Sequence, residues 1–210
     1  MGNSQKHPAE ILLHQASFLQ SAQRLDQCPP DEGREVAFAG RSNAGKSSAI
    51  NRLTGQRTLA RTSKTPGRTQ LINFFALGDN RYLVDLPGYG YAKVPEAIKA
   101  EWDTLAGGYL ATRASLAIVV VIMDARRPFT PHDSAMVAWL RPIGLRVLLV
   151  LSKADKLGRR DRDAALAEAV KKLAARGVEG EVRLLSNLSG DGVEDVRDLL
   201  EGWLAEAGAA

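Results

Sequence analysis

From position 35 onward, short apolar runs alternate with longer amphipathic stretches, the rhythm of a sheet layered with helices. Strands are expected at 35–39, 70–76, 81–85, 116–124, 146–151 and 182–186, where apolar residues cluster between turn signals. Helices are expected at 46–53, 95–109, 131–140, 162–176 and 193–205. VVVIM and RVLLVL show no alternation, and continuous apolarity marks strands covered on both faces. Only Leu77-Gly78-Asp79-Asn80 separates the second strand from the third. That is too short for a crossover helix, so those strands should form an antiparallel hairpin at one edge. The expected fold class is therefore α/β: a mixed, mostly parallel six-stranded sheet with helices on both faces.

The turn cluster CPPDEGRE sets the boundary of the main domain. We divide the chain into an N-terminal extension (1–34) expected to dock on the domain, the domain itself (35–205) and a short tail (206–210). A chain of 210 residues has room for one domain plus such an extension, and 45% hydrophobic with 25% charged residues excludes wholesale disorder. The longest apolar run, Leu116 to Met123, falls far short of the roughly 18–20 residues that span a bilayer, and MGNSQKHPAE lacks the form of a secretory signal. A cytoplasmic monomer without membrane contact is expected. Cys28 is the single cysteine, and His7, His14 and His132 lack companions at ligand spacing, so neither an internal disulfide nor a protein metal cage is expected. Trp102, Trp139 and Trp203 read as core anchors on helices. A net charge of +4 permits an RNA partner without requiring one.

Directly after the first strand stands Gly40-Arg41-Ser42-Asn43-Ala44-Gly45-Lys46-Ser47, followed by Ser48 and a helix. This is G-x-x-x-x-G-K-[ST] in the strand, loop and helix setting that gives it meaning. Glycines let the loop curl so that successive N–H groups face one anion, and the helix start adds its positive dipole end. Lys46 supplies a point charge to β- and γ-phosphates, and the Ser47 hydroxyl is placed for Mg²⁺. Asp85-Leu86-Pro87-Gly88 closes the third strand as D-x-x-G, offering a carboxylate to Mg²⁺ through water and the unobstructed Gly88 N–H to the γ-phosphate.

After RVLLVL comes Ser152-Lys153-Ala154-Asp155, close to the [NT]-K-x-D pattern that reads guanine. The Asp155 carboxylate can accept from guanine N1–H and from its exocyclic amine, whereas adenine has no matching donors there. Lys153 would lay its stem along the base, and Leu185-Ser186-Asn187 would present main-chain N–H to guanine O6. Each motif alone has an ordinary reading as a polar turn or a helix cap. Together they occupy successive strand ends, where open α/β sheets bind ligands, and the pocket they describe takes GTP or GDP.

GRSNAGKSS, TSKTPGRTQLINFF, DLPGYGYAK and MDAR, over about residues 11–205, resemble the bacterial EngB-type (YihA/YsxC) ribosome-biogenesis GTP-binding proteins. The resemblance implies a Ras-like P-loop GTPase domain, Mg²⁺-dependent GTP binding, a role in assembling the large ribosomal subunit and a link to cell division and septation. Within Gly67-Arg68-Thr69-Gln70-Leu71 it implies that Thr69 is the switch threonine that joins Ser47 on Mg²⁺. Residues 54–69 hold Arg57, Arg61, Lys64 and Arg68 without an acid, so the segment suits a nucleotide-dependent RNA contact or simply offsets the triphosphate.

Many Ras-like enzymes carry Gln directly after D-x-x-G to orient the attacking water, but Tyr89 stands here, so slow intrinsic hydrolysis is expected. Arg68, Thr69 and Arg126 are the candidates to assist it. Asn43 occupies the position that coordinates K⁺ in related cation-activated GTPases, which makes K⁺ a candidate cofactor beside Mg²⁺. Two other classes stay open. A P-loop kinase would use ATP and have no need of SKAD, and a nucleotide-binding division scaffold would not bind the large subunit in either nucleotide state.

Overall fold

The computed structural model describes residues 12–60, 71–90 and 103–206. Seven strands form one sheet: β1 (Ser17–Ala22), β2 (Arg34–Gly40), β3 (Ile72–Ala76), β4 (Arg81–Asp85), β5 (Leu116–Asp124), β6 (Arg146–Ser152) and β7 (Gly180–Leu184). Their order across the sheet is β1-β3-β4-β2-β5-β6-β7. Strands β4, β2, β5, β6 and β7 are parallel neighbours, while β3 runs antiparallel to β4 and β1, so the short 77–80 connection closes an antiparallel hairpin.

The α/β class with a mixed, mostly parallel sheet is as expected, but the count of six strands is corrected to seven. The added strand is β1 from the N-terminal extension, paired antiparallel to β3 with an irregular register between Phe18 and Gln20. A bulge of this kind breaks the two-residue alternation that reveals a strand. At the opposite edge, β7 starts two residues before the expected 182, because Gly180 pairs with Val147; a Cβ on Gly180 would lie 2.1 Å from the Val147 carbonyl oxygen.

The helices are α1 (Lys46–Leu53), α2 (Gly108–Thr112) preceded by a π turn at Asp103–Gly107, α3 (Pro131–Leu140), α4 (Arg159–Ala175) and α5 (Val193–Ala205). Most of the helix expected at 95–109 lies outside the described residues. Side chains of the buried strands alternate between two cores. Val36, Phe38, Ile118, Val120 and Leu148 pack with Ile50 and Leu53 of α1 and Val196 and Leu200 of α5. Ala37, Ala39, Val119, Val121 and Leu149 pack on the other face with Tyr109 of α2, Val137 of α3 and Leu173 of α4. Leu13 and Ala16 of the extension enter the first core, and Gln56 donates to the Ala16 carbonyl. Trp139 is not a core anchor: it is 38% exposed on α3. Trp102 lies outside the described residues. No helix among the described residues is long and apolar enough to cross a membrane. The carboxyl ends of β2, β4, β5 and β6 meet along one rim, and the functional motifs stand there.

Candidate functional site

The phosphate loop follows from β2, whose last residue, Gly40, is buried. Asn43 and Gly45 both take left-handed backbone, at φ 63° and 99°. At 99° a side chain would be strained, which is why glycine stands directly before α1. Lys46 and Ser47 open α1, and the Lys46 ammonium donates to the Asp85 carboxylate at the end of β4. Parallel pairing puts Phe38 opposite Asp85, and the main chain beyond is stitched to the loop. Leu86 N–H donates to Phe38 O at 3.0 Å, Tyr89 N–H to Gly40 O at 3.3 Å and Ser42 N–H to Tyr89 O at 3.2 Å. D-x-x-G thus lies against the phosphate loop through its backbone.

Tyr89 itself is nearly buried, and its hydroxyl donates to Asp133 Oδ1 at 3.0 Å. Burial first, then the Asp133 charge, pushes the phenol well above its usual range, so it stays a donor. Asp133 also accepts from Thr130 N–H and Oγ1 in the capping box that starts α3. The side chain after D-x-x-G is therefore committed to a neighbouring helix.

At the other end of the rim, Ser152 closes β6, fully buried, and donates to the carbonyls of Ala44 and Met123. A serine in place of the usual Asn or Thr thus still ties this loop to the phosphate loop. Lys153 adopts φ 58° and reaches back to donate to Asn43 O at 2.8 Å and to Asp124 Oδ2 at 2.9 Å. Ala154 N–H donates to Leu185 O at 3.2 Å, joining this loop to the segment after β7. Asp155 accepts from Ser186 Oγ at 2.8 Å, and that hydrogen bond above all holds its carboxyl below the usual range. Ser186 Oγ also accepts from Ser189 N–H at 3.0 Å, which shapes the loop. Asn187 Oδ1 is buried and has no hydrogen-bond partner among the described residues.

Of the residues singled out from the sequence, Gly40–Ser48, Asp85–Gly88, Ser152–Asp155 and Leu185–Asn187 come together along this rim. Leu86 and Leu185 are fully buried in the two cores, which leaves their main chain as the part available at the rim. Leu71 is half-buried immediately before β3, while Gly67, Arg68, Thr69 and Gln70 lie outside the described residues. Arg126 stands at the rim with its guanidinium bound bidentate to Asp124, at 2.9 and 2.6 Å, beside Lys153. Two acids outside the candidate site set are bound to these residues: Asp124, of the MDAR stretch, to Lys153, and Asp133, which no motif contains, to Tyr89. For Asp124 a signal existed, since it is a lone acid ending the continuously apolar run 116–123 at a carboxyl strand end.

A family model described as 50S ribosome-binding GTPase covers residues 35–153. The probable GTP-binding protein EngB of Nitrosococcus oceani is 51% identical over 197 residues, 94% of this chain and 98% of the relative. That of Thiobacillus denitrificans is 52% identical over 201 residues, 96% of this chain and 97% of the relative. The chain belongs to the EngB family of GTP-binding proteins. The crystal structure of a probable GTP-binding protein engB shares the fold, with a TM-score of 0.65 at 23% identity over 82% of this chain and 100% of that one. In this EngB-family chain the shared fold supplies the rim, and the short motifs stand at its strand ends.

Proposed function

We propose that this EngB-family chain is a slow GTPase switch that acts in assembly of the large ribosomal subunit and is needed for normal cell division and septation. The observation that carries the reading is the guanine end: an acid held ionised by Ser186, on a loop tied through Ser152 and Lys153 to the phosphate loop. A base-reading acid and a phosphate cradle fixed to each other suit a guanine nucleotide better than they suit the ATP of a kinase. The family model's description as a 50S ribosome-binding GTPase supports the large subunit as partner.

Residues 40–48 would wrap the phosphates, with Lys46 on the β- and γ-oxygens and Gly88 N–H at the γ-phosphate. The donor set fits Mg²⁺: Ser47, Asp85 through water and, in the segment outside the described residues, Thr69 are hard oxygen donors. Bound there, the ion offsets phosphate charge. Tyr89, engaged by Asp133, does not orient a water, and hydrolysis is accordingly slow until Arg68, Thr69 or the ribosome supplies what is missing. The protein works in the cytoplasm as a monomer.

Two experiments test this reading. The full chain is expected to pellet with isolated 50S particles more strongly in one of the GTP- or GDP-loaded states than in the other; no pelleting in either state refutes the assembly role. Asp155→Asn keeps a carbonyl that accepts from Ser186 and replaces the other oxygen, which lies 3.5 Å from the exposed Lys156, with an amide donor. GTP affinity should fall roughly tenfold to a hundredfold and xanthosine triphosphate affinity should rise. Unchanged preference for GTP in a competition titration contradicts the base assignment.

A further inference from the structure

The acid that ends β5 stands on the same rim as the D-x-x-G turn and Asp155. Register pairs Asp124 with Ser152 across β5 and β6, and Ala125 N–H donates to Ser152 O at 2.8 Å, so Asp124 and Lys153 emerge side by side. The Asp124 carboxylate is 9% exposed and accepts from Lys153 Nζ at 2.9 Å, from Arg126 Nε and Nη2 at 2.9 and 2.6 Å and from Arg126 N–H at 3.1 Å. Two cations therefore share one nearly buried anion. The lysine is the more constrained of them: its ammonium also donates to Asn43 O, on the far side of the gap between the base loop and the phosphate loop. The Arg126 guanidinium is half exposed and is paired with Asp124.

We propose that Asp124 is a positioning residue for guanine-nucleotide binding: it pins the Lys153 ammonium between β5 and the phosphate loop, so that the lysine's aliphatic stem stands as a preset wall for the purine. The proposal rests on the guanine-nucleotide reading of this site and adds to it the group that orients the lysine. A free lysine samples many rotamers, and ordering it on binding weakens affinity; a lysine already fixed at its tip avoids that loss. Left-handed backbone at Lys153 turns the side chain back across the strand ends, which brings the tip within reach of both partners. Asp124 also keeps Lys153 and Arg126, two like charges at the same rim, from repelling each other. The wall meets the base and not the phosphates, so GDP and GTP should feel it equally.

The test measures dissociation of fluorescent GDP, and of a fluorescent non-hydrolysable GTP analogue, from the full chain with Mg²⁺. Asp124→Asn keeps the shape and removes the charge. Both nucleotides should leave about tenfold faster, the factor set by one charge-assisted hydrogen bond. In a Lys153→Met background the same substitution should add less than twofold, because the lysine it serves is gone. A dissociation rate for Asp124→Asn equal to wild type overturns the proposal. So do two effects that multiply fully, since an acid that merely holds the fold would act independently of Lys153. Where thermal unfolding shows that Asp124→Asn does not fold, Arg126→Ala decides. With Asp124 left to Lys153 alone, dissociation should be no faster than wild type, and faster loss of nucleotide overturns the proposal by making Arg126 the served group. Wild-type chain that retains neither nucleotide refutes the guanine-nucleotide reading itself, a result that the variants cannot mimic.

Discussion

Lys46→Ala is expected to weaken GTP and GDP binding by at least about a hundredfold, read by titration with fluorescent nucleotides. Two charge-assisted contacts to phosphate oxygens, at about 1.5–3 kcal/mol each, set that factor. The structure adds a complication that the motif alone does not reveal. Lys46 is the ionic partner of Asp85, and the two side chains are only 12% and 8% exposed. Truncating the lysine leaves a nearly buried carboxylate without its cation, a loss of about 1–3 kcal/mol of stability that is separate from nucleotide binding. Lys46→Ala combined with Asp85→Asn separates the two effects: neutralising the acid should restore the thermal midpoint while leaving binding lost. If the single variant binds GDP within a few-fold of wild type, Lys46 does not face the phosphates and the cradle is misassigned.

Elements whose side chains obey one period were legible in advance. Leu116–Asp124, Arg81–Asp85, Lys46–Leu53, Pro131–Leu140 and Val193–Ala205 have the expected bounds, because burial of one or both faces fixed which positions had to be apolar. Strand β1 was not legible, since an edge strand with a bulge has no such constraint. Phe18 and Leu19, adjacent in sequence, are both exposed, at 58% and 45%, where a regular strand would have turned one of them inward. The start of β7 was missed for a similar reason: Gly180 has no side chain with which to register in a hydrophobic pattern, and only its main-chain fit against Val147 places it in the sheet.

In the site, contiguous stretches were legible and long-range contacts were not. A phosphate loop or SKAD is read from neighbouring residues because one turn must shape one ligand edge. Lys153 meets Asp124 across 29 residues and Asn43 across 110, and Tyr89 meets Asp133 across 44; those meetings are fixed by parallel register between strands, which no local pattern encodes. Tyr89 illustrates the difference. From sequence it is the wrong residue for orienting water; in the fold it is the right residue for bracing D-x-x-G against α3, since only a long side chain with a terminal donor reaches Asp133 from that backbone.

Arg113→Ala is expected to destabilise the fold by about 3–5 kcal/mol, the range for stripping one partner from a buried ion pair. Glu35, near the start of β2, is fully buried and accepts from Arg113 Nη2 at 2.6 Å, from Arg113 Nε at 3.1 Å and from the Tyr109 hydroxyl. Burial and then the Glu35 charge push that phenol far above its usual range, so it donates throughout the accessible pH range. Arg113 also donates to Pro30 O at 3.0 Å and lies 3.4 Å from Asp31, whose carboxylate caps Ala114 and Ser115 N–H before β5. One guanidinium thus ties the extension, β2, α2 and the turn into β5, at the end of the sheet opposite the nucleotide rim. Without it, Glu35 retains the single donor of Tyr109, too little to offset removal of a carboxylate from water. For a chain of this size the midpoint should drop by roughly 6–20 °C in a thermal melt. Glu35→Leu, Tyr109→Phe and Arg113→Met together should recover most of that loss, since no buried charge then remains unpaired and Asp31 is exposed enough to be solvated. A midpoint for Arg113→Ala within about 2 °C of wild type means that water reaches Glu35, and the extension is then held by β1 and its core contacts alone.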